Sequence, residues 1–554
     1  MKISVDAHQK MLSTFASMAV DRQPWWQHWR DLADYILPRR YTWLLSKSEA
    51  AKRATRNPFI LDGTGTNAAR TLASGMMNGI TSPARPWFKL RVHGAEANDH
   101  EVRIWLDEVE RRMLLVMAES NFYNAMAVLY LDLVIFGTGG MLIYEDFKNV
   151  IRCFNPALGE FYLAQDFGLS VNTFGREFSL KVHQVVSEFG EENCSDTVRS
   201  AWKQGGASRQ TDIVIQHLIE PNYSADGLVP QRFAFREVYW EKGVTTGEVL
   251  RKKGFDEIPG IFPRWELCGN DAYGTGPASD ALADIIQLQL ETKRKAQGLD
   301  KTVSPPILAS LHLANRPMSL LPGGVTFAAN IDEAGAKPLY TVTLPLGEMT
   351  ADIRDVQTRI RETFFNQLFR DISMLETVRS ATEIDARREE KLILLGSVLE
   401  RFENEALDPA INRIYGIMLR GDLLPPPPEK MRGAKIEIQY VSILSTAQRA
   451  VGVAPLERAF GLSGNLAAVY PNVLNVLDPE EAFRSYCEDI GVPARAMKSR
   501  ERSAEDAQRQ DELVQQRETA AQGEALAKSG ALLSKTEVGG GQNAIEALLG
   551  GGGA

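Results

Sequence analysis

Cysteine is scarce. The 554 residues hold four, Cys153, Cys194, Cys268 and Cys487, far apart and with no CxxC pair. That spacing excludes a disulfide framework and a zinc knuckle, and it fits a reducing compartment. Histidine is nearly as thin: His8, His28, His93, His100, His183, His217 and His312 show no HExxH or other ligand spacing, and no GxSxG elbow occurs. Metallohydrolase and serine-hydrolase chemistry therefore lack their donors. Neighbouring carboxylates such as Glu389 with Glu390, or Glu480 with Glu481, read as solvated helix positions rather than metal ligands. No cofactor is expected.

Long apolar runs are missing too. The longest, AMAVLYLDLVIFG, is interrupted by Asp132 and falls short of the ~20 residues that cross a bilayer. The N-terminus, MKISVDAHQKMLSTFASMAVDRQPWW, carries Asp6 and Asp21 where a signal peptide needs an apolar core. Neither a membrane span nor export is expected. Positive charge is also in deficit, with a formal net charge of −9, so nothing draws the whole chain to nucleic acid. Any DNA contact has to be local.

What is present is a long, ordinary globular composition, 44% hydrophobic and 24% charged, enough for several substructures. Helical spacing from Ser4 to Leu37, interrupted by Pro24 and followed by Pro38, predicts two amphipathic helices anchored by Trp25, Trp26 and Trp29. A second helical region runs from Glu101 to about Phe136, with Val102, Trp105, Val109, Met113 and Val116 on one stripe and a break near Ser120 and Asn121. FGTGGMLIYE then turns into a strand. From Ile151 to Trp265 short runs such as REFSLKVHQVV, DIVIQHLIE and RFAFREVYW predict a β-rich segment.

After YGTGP, helical spacing returns, with Ala281, Ile285, Leu288 and Leu299 on one stripe and Lys293, Arg294 and Lys295 near its far end. From Val303 onward SPP, RP, LPGG and KPL hold too much proline for a helix and predict a compact insertion with short strands. A second helix opens near Met349 on Ile353, Val356, Ile360, Phe364 and Leu368. RDISMLETVRSA interrupts it. Ser380 and Glu383 form a capping box for a third, very long helix to Met418, which Pro409 should kink and PPPP at Pro425 to Pro428 should end; KIEIQYVS is a strand. Helical segments follow at Ala447 to Phe460 and Pro479 to Ile490, then a polar helix from Ala504 to Ala527 and a Gly-rich tail expected to be flexible. There is no internal repeat.

Two stretches invite a phosphate-binding reading. LDGTGTNAARTLASG has closely spaced glycines but no GxxxxGK[ST] lysine, and a helix N-terminus capped by Asp62 or Thr64 accounts for it better. FGTGGM and YGTGP are read as joints between elements. The strongest cationic patch is Arg39, Arg40, Lys47, Lys52, Arg53 and Arg56 against Glu49 alone, either a contact for DNA or an acidic partner, or a solvated loop.

Taken together, RDLADYILPRR, LDGTGTNAARTLASGMMNGITSPARPWFKL, FGTGGMLIYE and YGTGP before a helix resemble the head-to-tail connecting (portal) proteins of short-tailed bacteriophages. The likeness covers about Ser4 to Ser442 in element order and weakens after Ala447. It implies an α+β, predominantly helical fold of portal architecture and a non-enzymatic, dodecameric ring around a DNA channel. Mapped onto this chain, the resemblance puts a wing at 1–273, a first stem helix at 274–300, a clip insertion at 301–348, a second stem helix at 349–369 and a tunnel loop at 370–381. A long kinked wing helix and closing strand take 382–445, crown helices 446–527 and a flexible tail 528–554.

The resemblance further implies that Arg370, Asp371, Ser373, Glu376 and Arg379 face DNA, and that Pro305, Pro306, Arg316, Pro322 and Lys337 lie in the clip, where packaging terminase and then tail proteins dock. Its partners would be further copies of itself, double-stranded DNA passing without sequence specificity, terminase, tail adaptor, capsid and scaffolding proteins. Its place would be the portal vertex of the virion, after assembly in the host cytoplasm. Two rivals stay open. A packaging ATPase would need the Walker lysine that is missing, and a shorter tail adaptor would lack the order of helix, insertion, helix, long helix.

Overall fold

The computed structural model describes residues 2–38, 59–92, 99–222, 228–309, 336–338, 343–368, 395–431, 436–441 and 500–535. The chain divides into two compact units: residues 1–90, 109–426 and 438–477 form the first, and 91–108, 427–437 and 478–554 the second.

In the first unit the Ser4 hydroxyl caps α1 (Val5–Arg22) by accepting the Ala7 N–H at 3.2 Å. Pro24 separates it from α2 (Trp25–Tyr35), where Trp29 is fully buried and stacks on Trp25. α3 (Thr64–Ile80) presents Ala68, Ala69, Leu72 and Ala73 to the interior, small enough for close helix packing. β1 is Phe88–Val92 and α4 is His100–Glu119, whose Val102, Trp105, Val109, Met113 and Val116 are all buried; residues 91 and 92 of β1 and 100–108 of α4 are counted with the second unit. α5 (Phe122–Phe136) is apolar on nearly every side and lies at the centre, against α3.

Among the described residues no single helix is long and apolar enough to cross a membrane. α4 and α5 pass by composition only as a pair bent by 76°. α5 has its long apolar side chains inside the protein, which accounts for that composition.

β2 (Met141–Asp146), β3 (Val150–Phe154) and the short β9 (Gly260–Ile261) make an antiparallel sheet in the order β3-β2-β9. A five-stranded antiparallel sheet follows simple chain order: β4 (Phe161–Gln165), β5 (Val171–Lys181), β6 (Asp212–Pro221), β7 (Phe235–Glu241) and β8 (Arg251–Phe255). α1 covers it, with Met11, Phe15 and Met18 packed on Tyr162, Leu218, Val238 and Trp240.

The segment expected to be β-rich carries its strands and, between two of them, two helices. REFSLKVHQVV is strand only to Lys181; α6 (Val182–Phe189) and α7 (Asp196–Gln204) fill the excursion between β5 and β6. Val182, Val185 and Phe189 recur at spacings of three and four and are buried with Cys194, Val198, Ile215 and Leu250, so the helical period wins over β propensity.

α8 (Pro277–Val303) and α9 (Leu346–Thr363) are two long helices packed on each other. Ala281, Ile285 and Leu288 are buried in α8, whereas Leu299, on the same stripe, is exposed. α9 stops at Thr363, short of the expected 369. Phe365 takes a left-handed φ of 52°, which breaks the helical hydrogen-bond ladder; Phe364 is buried before it, helical backbone resumes at 366–368 with Leu368 buried, and residue 369 lies outside the described residues. Between the helices, β10 (Ile307–Ala309) and β11 (Ala336–Pro338) form an antiparallel ribbon.

The described part of the expected third helix is α10 (Gly396–Phe402), one π turn (Glu403–Leu407) and α11 (Asp408–Arg420). The irregularity falls directly before Pro409, which has no N–H to give the α ladder. α11 packs on the β3-β2-β9 sheet, and β12 (Ile436–Tyr440) follows the proline run. In the second unit α12 (Arg500–Lys535) runs beyond both expected ends and exposes Leu513, Val514 and Leu526. The capping box at Ser380 and Glu383, the helices at 447–460 and 479–490, and the tail from 536 lie outside the described residues.

Candidate functional site

The three glycine-rich segments singled out in the sequence, LDGTGT, FGTGGM and YGTGP, meet at the base of the α8–α9 pair. Pro277 starts α8 at a position where its missing N–H costs nothing. The approach to it is made by the two glycine motifs, FGTGGM and YGTGP, which lie against each other backbone to backbone. Gly137 ends α5 with a φ of +70°, and a Cβ there would stand 2.4 Å from the Gly274 carbonyl oxygen. At Gly276 a Cβ would stand 2.9 Å from the Leu133 carbonyl oxygen. Gly274 N–H donates to Thr138 Oγ1 at 2.8 Å, and Trp265 N–H to the Gly137 carbonyl at 2.8 Å. Both motifs are joints, and they are the same joint.

The LDGTGT segment completes the base. Asp62 Oδ1 accepts the Thr64 N–H at 2.8 Å, so a carboxylate of the chain itself occupies the N-terminus of α3, where a phosphate would have to sit. Buried Gln289 on α8 accepts the Leu61 and Asp62 N–H groups at 2.7 and 2.8 Å and donates to the Asp62 carbonyl at 2.9 Å. From α9, Gln357 Nε2 donates to Asp62 Oδ2 at 2.8 Å. Burial works against a charge on Asp62, but the hydrogen bonds from Thr64 and Gln357, with Arg361 nearby, outweigh it and hold the carboxyl below its usual range. Gly65 sits where a Cβ would be 2.9 Å from Ile285 Cδ1, so α3 meets α8 closely.

One acidic loop residue is thus clasped by both long helices. Farther out, Arg359 pairs with Asp284 at 3.0 Å and Lys295 Nζ donates to Thr350 Oγ1 at 2.8 Å. The solvent faces of the pair mix signs: Lys293, Arg294 and Lys301 on α8, Glu348, Asp352, Asp355 and Arg361 on α9.

Of the residues singled out in the sequence, Pro305, Pro306 and Lys337 are described. Pro305 is half-buried and Pro306 exposed just after α8; Lys337 stands opposite Leu308 in the β10–β11 ribbon. Arg316 and Pro322 lie outside the described residues, as do Arg370, Asp371, Ser373, Glu376 and Arg379 and the basic patch of Arg39, Arg40, Lys47, Lys52, Arg53 and Arg56. Cys153, Cys194 and Cys268 are free thiols, and Cys487 lies outside the described residues.

Sequence reasoning missed the glutamines. Gln289 follows the apolar Leu288 and is buried, an uncharged polar residue on an apolar stripe, which is the signal that could have revealed a hydrogen-bonded core position. It also missed Arg264, buried at the foot of the site and bonded to Glu405 of the π turn, to Gln165 and to the Leu169 carbonyl.

Every well-made polar cluster in this region joins one chain segment to another, and among the described residues no group of His, Cys, Asp and Glu could hold a metal ion. The arrangement is that of a scaffold, with a pair of long helices braced at its base. The family model for bacteriophage head to tail connecting proteins matches residues 8–497. The chain is 38% identical over 535 residues, 96% of each chain, to the portal protein of Salmonella phage epsilon15. It is 37% identical over 487 residues, 87% of each chain, to the probable portal protein of Bordetella phage BPP-1. The chain belongs to the bacteriophage head-to-tail connecting protein family, and like its portal-protein relatives it is a structural connector and not an enzyme.

Proposed function

We propose that copies of this chain form a dodecameric ring at one capsid vertex, the conduit for DNA during packaging and ejection and the platform on which terminase and then tail proteins dock. The observation that carries the reading is the α8–α9 pair held at its base by Asp62, Gln289 and Gln357. A pair braced in this way can line a passage without its spacing changing as cargo moves. In this reading α8 and α9 are the stem, the β10–β11 ribbon with its flanking prolines belongs to the clip, and 370–381 is a loop facing the channel.

Conduction sets the electrostatics. Double-stranded DNA must slide, and each fixed phosphate contact would add a trap along its path. A chain of net charge −9 whose helix faces mix signs holds DNA weakly, which suits sliding. Arg370 and Arg379 would then touch phosphates in passing and help retain DNA after packaging.

Electron micrographs of the purified full chain test the assembly: a ring of roughly twelve-fold symmetry with a central hole is expected, and a stable monomer at micromolar concentration overturns it. Charge reversal of Arg370 and Arg379 tests the loop separately. Rings should still form while packaging or retention of DNA changes; unchanged packaging removes the loop from the mechanism.

A further inference from the structure

The hairpin joining β4 to β5 is built rigidly around a residue that the protomer does not use. Asp166 makes the turn: its Oδ1 accepts the Ser170 N–H at 3.0 Å, its N–H donates to the Ser170 carbonyl at 2.9 Å and its carbonyl accepts the Leu169 N–H at 3.0 Å. Leu169 is held at a φ of 62°, uncommon for a residue with a side chain. Its carbonyl takes a hydrogen bond at 2.6 Å from Arg264, which is itself fixed by Glu405. At the tip stands Phe167 with a relative exposure of 105%. Burying a phenylalanine side chain is favourable, and any polar residue would serve such a turn equally well.

A matching surface exists on the same chain. Along α8, Ile286, Leu290, Lys293 and Gln297 follow one another at spacings of three and four, and all are exposed, Ile286 at 38% and Leu290 at 46%. This is an apolar strip continued by a cation, with Arg294 at its flank. The tip is an aromatic ring beside the carboxylate of Asp166. Shape class and charge sign are complementary, and the two patches differ, which is what a contact repeated head to tail around a closed ring requires.

We propose that Phe167 of one copy docks on the Ile286–Leu290 strip of α8 in the next copy. The occupant is a second copy of this chain, because the tip and a strip of complementary chemistry belong to one sequence. The inference rests on the ring assembly proposed above and names the side chains that join its subunits.

Cross-linking tests it in the full chain, with exposed Cys268 replaced by serine throughout. Phe167→Cys and Leu290→Cys are made as two single variants, mixed before assembly and oxidised. A covalent dimer on a non-reducing gel from the mixture, at least tenfold more abundant than from either variant alone, is the expected result. Rings that form normally in micrographs but give no such dimer overturn the contact while leaving the ring intact; wild-type protein that never assembles sinks both.

A second measurement is independent of cysteine geometry. Phe167→Ser should leave the melting temperature of the unassembled protomer unchanged, since the ring touches little there, and should lower the assembled fraction at least tenfold. An unchanged assembled fraction counts against the proposal.

Discussion

Arg264 and Glu405, 141 positions apart in sequence, meet in a two-pronged pair: Arg264 Nη2 donates to Glu405 Oε1 at 2.7 Å and Nε to Oε2 at 3.2 Å. The arginine side chain is 1% exposed. The pair ties the π turn of the long helical region to the strand-rich half, and through the Leu169 carbonyl to the Phe167 hairpin. Removing one partner leaves a buried charge without compensation, a loss of ~3–5 kcal/mol. Glu405→Ala should therefore lower the melting temperature of the protomer markedly, and Arg264→Met with Glu405→Met should lower it less than Glu405→Ala does. Thermal unfolding followed by tryptophan fluorescence checks both; a double variant worse than the single one contradicts the pairing.

The glycine joint yields the second prediction. Gly137→Ala meets a left-handed backbone, worth ~1–2 kcal/mol by itself, together with a backbone oxygen 2.4 Å away that cannot rotate aside. Gly205→Ala is the control, since it also has positive φ but open space around it. The first should reduce soluble, folded protein severely and the second only slightly, read as soluble yield and melting temperature. Equal effects would mean that backbone contact at the joint is unimportant.

How much of this was legible beforehand depends on the range of the interaction. Local periodicity gave the N-terminal helices, the buried stripe of α4 and the position of α8, because each is written in spacings of three and four. It failed at Val182–Phe189, where Val and Phe suit either period and only packing against Ile215 and Leu250 decides. It also set Leu299 on the stripe of Ala281, Ile285 and Leu288, yet Leu299 is exposed, since a stripe shows that side chains share a face and not how far along the helix that face is covered. The site was half legible: Asp62 as a cap and the glycines as joints follow from local rules. Gln289, Gln357, Arg264 and Glu405 act across more than a hundred positions, and no local pattern announces such partners.

The clasp at Asp62 supplies the third prediction. Gln289→Ala leaves the Leu61 and Asp62 N–H groups and the Asp62 carbonyl without a protein partner, a loss of ~1–3 kcal/mol for a buried unsatisfied group. The helices themselves should persist. Hydrogen exchange should quicken at 61–66 and along α9, with little change in the five-stranded sheet. Exchange that quickens everywhere would show a general loss of stability and not a released clasp.

The last prediction concerns acid. Glu237 Oε1 accepts from the Tyr144 hydroxyl at 2.8 Å, from His217 Nε2 at 2.9 Å and from the Tyr239 hydroxyl at 3.1 Å, while the His217 ring lies flat on Tyr239 at 4.0 Å. With Nε2–H given to Glu237, His217 Nδ1 is buried and has no partner, so a second proton there would be an unsatisfied donor. Arg176 on the neighbouring β5 and Arg251 on β8 add further repulsion. Burial is the larger cause and holds the imidazole below its usual pKa, despite the attraction of Glu237. Glu237 is also held below the usual carboxylate range: burial opposes its charge, and its hydrogen bonds outweigh burial.

The signs add. A histidine whose folded pKa is depressed stabilises the fold above its unfolded value of ~6.5 and ceases to do so as pH falls below it. A depressed carboxylate loses its contribution at still lower pH. The melting temperature should therefore fall from pH 7 to pH 5 at constant ionic strength, and the fall should be shallower in His217→Gln, which keeps an amide donor and cannot be charged. A wild-type protein as stable at pH 5 as at pH 7, or a variant with the same slope, would mean that this imidazole does not govern the response. If the slope does vanish with His217, the acid sensitivity lies in the strand-rich part of the protomer and not in the α8–α9 pair.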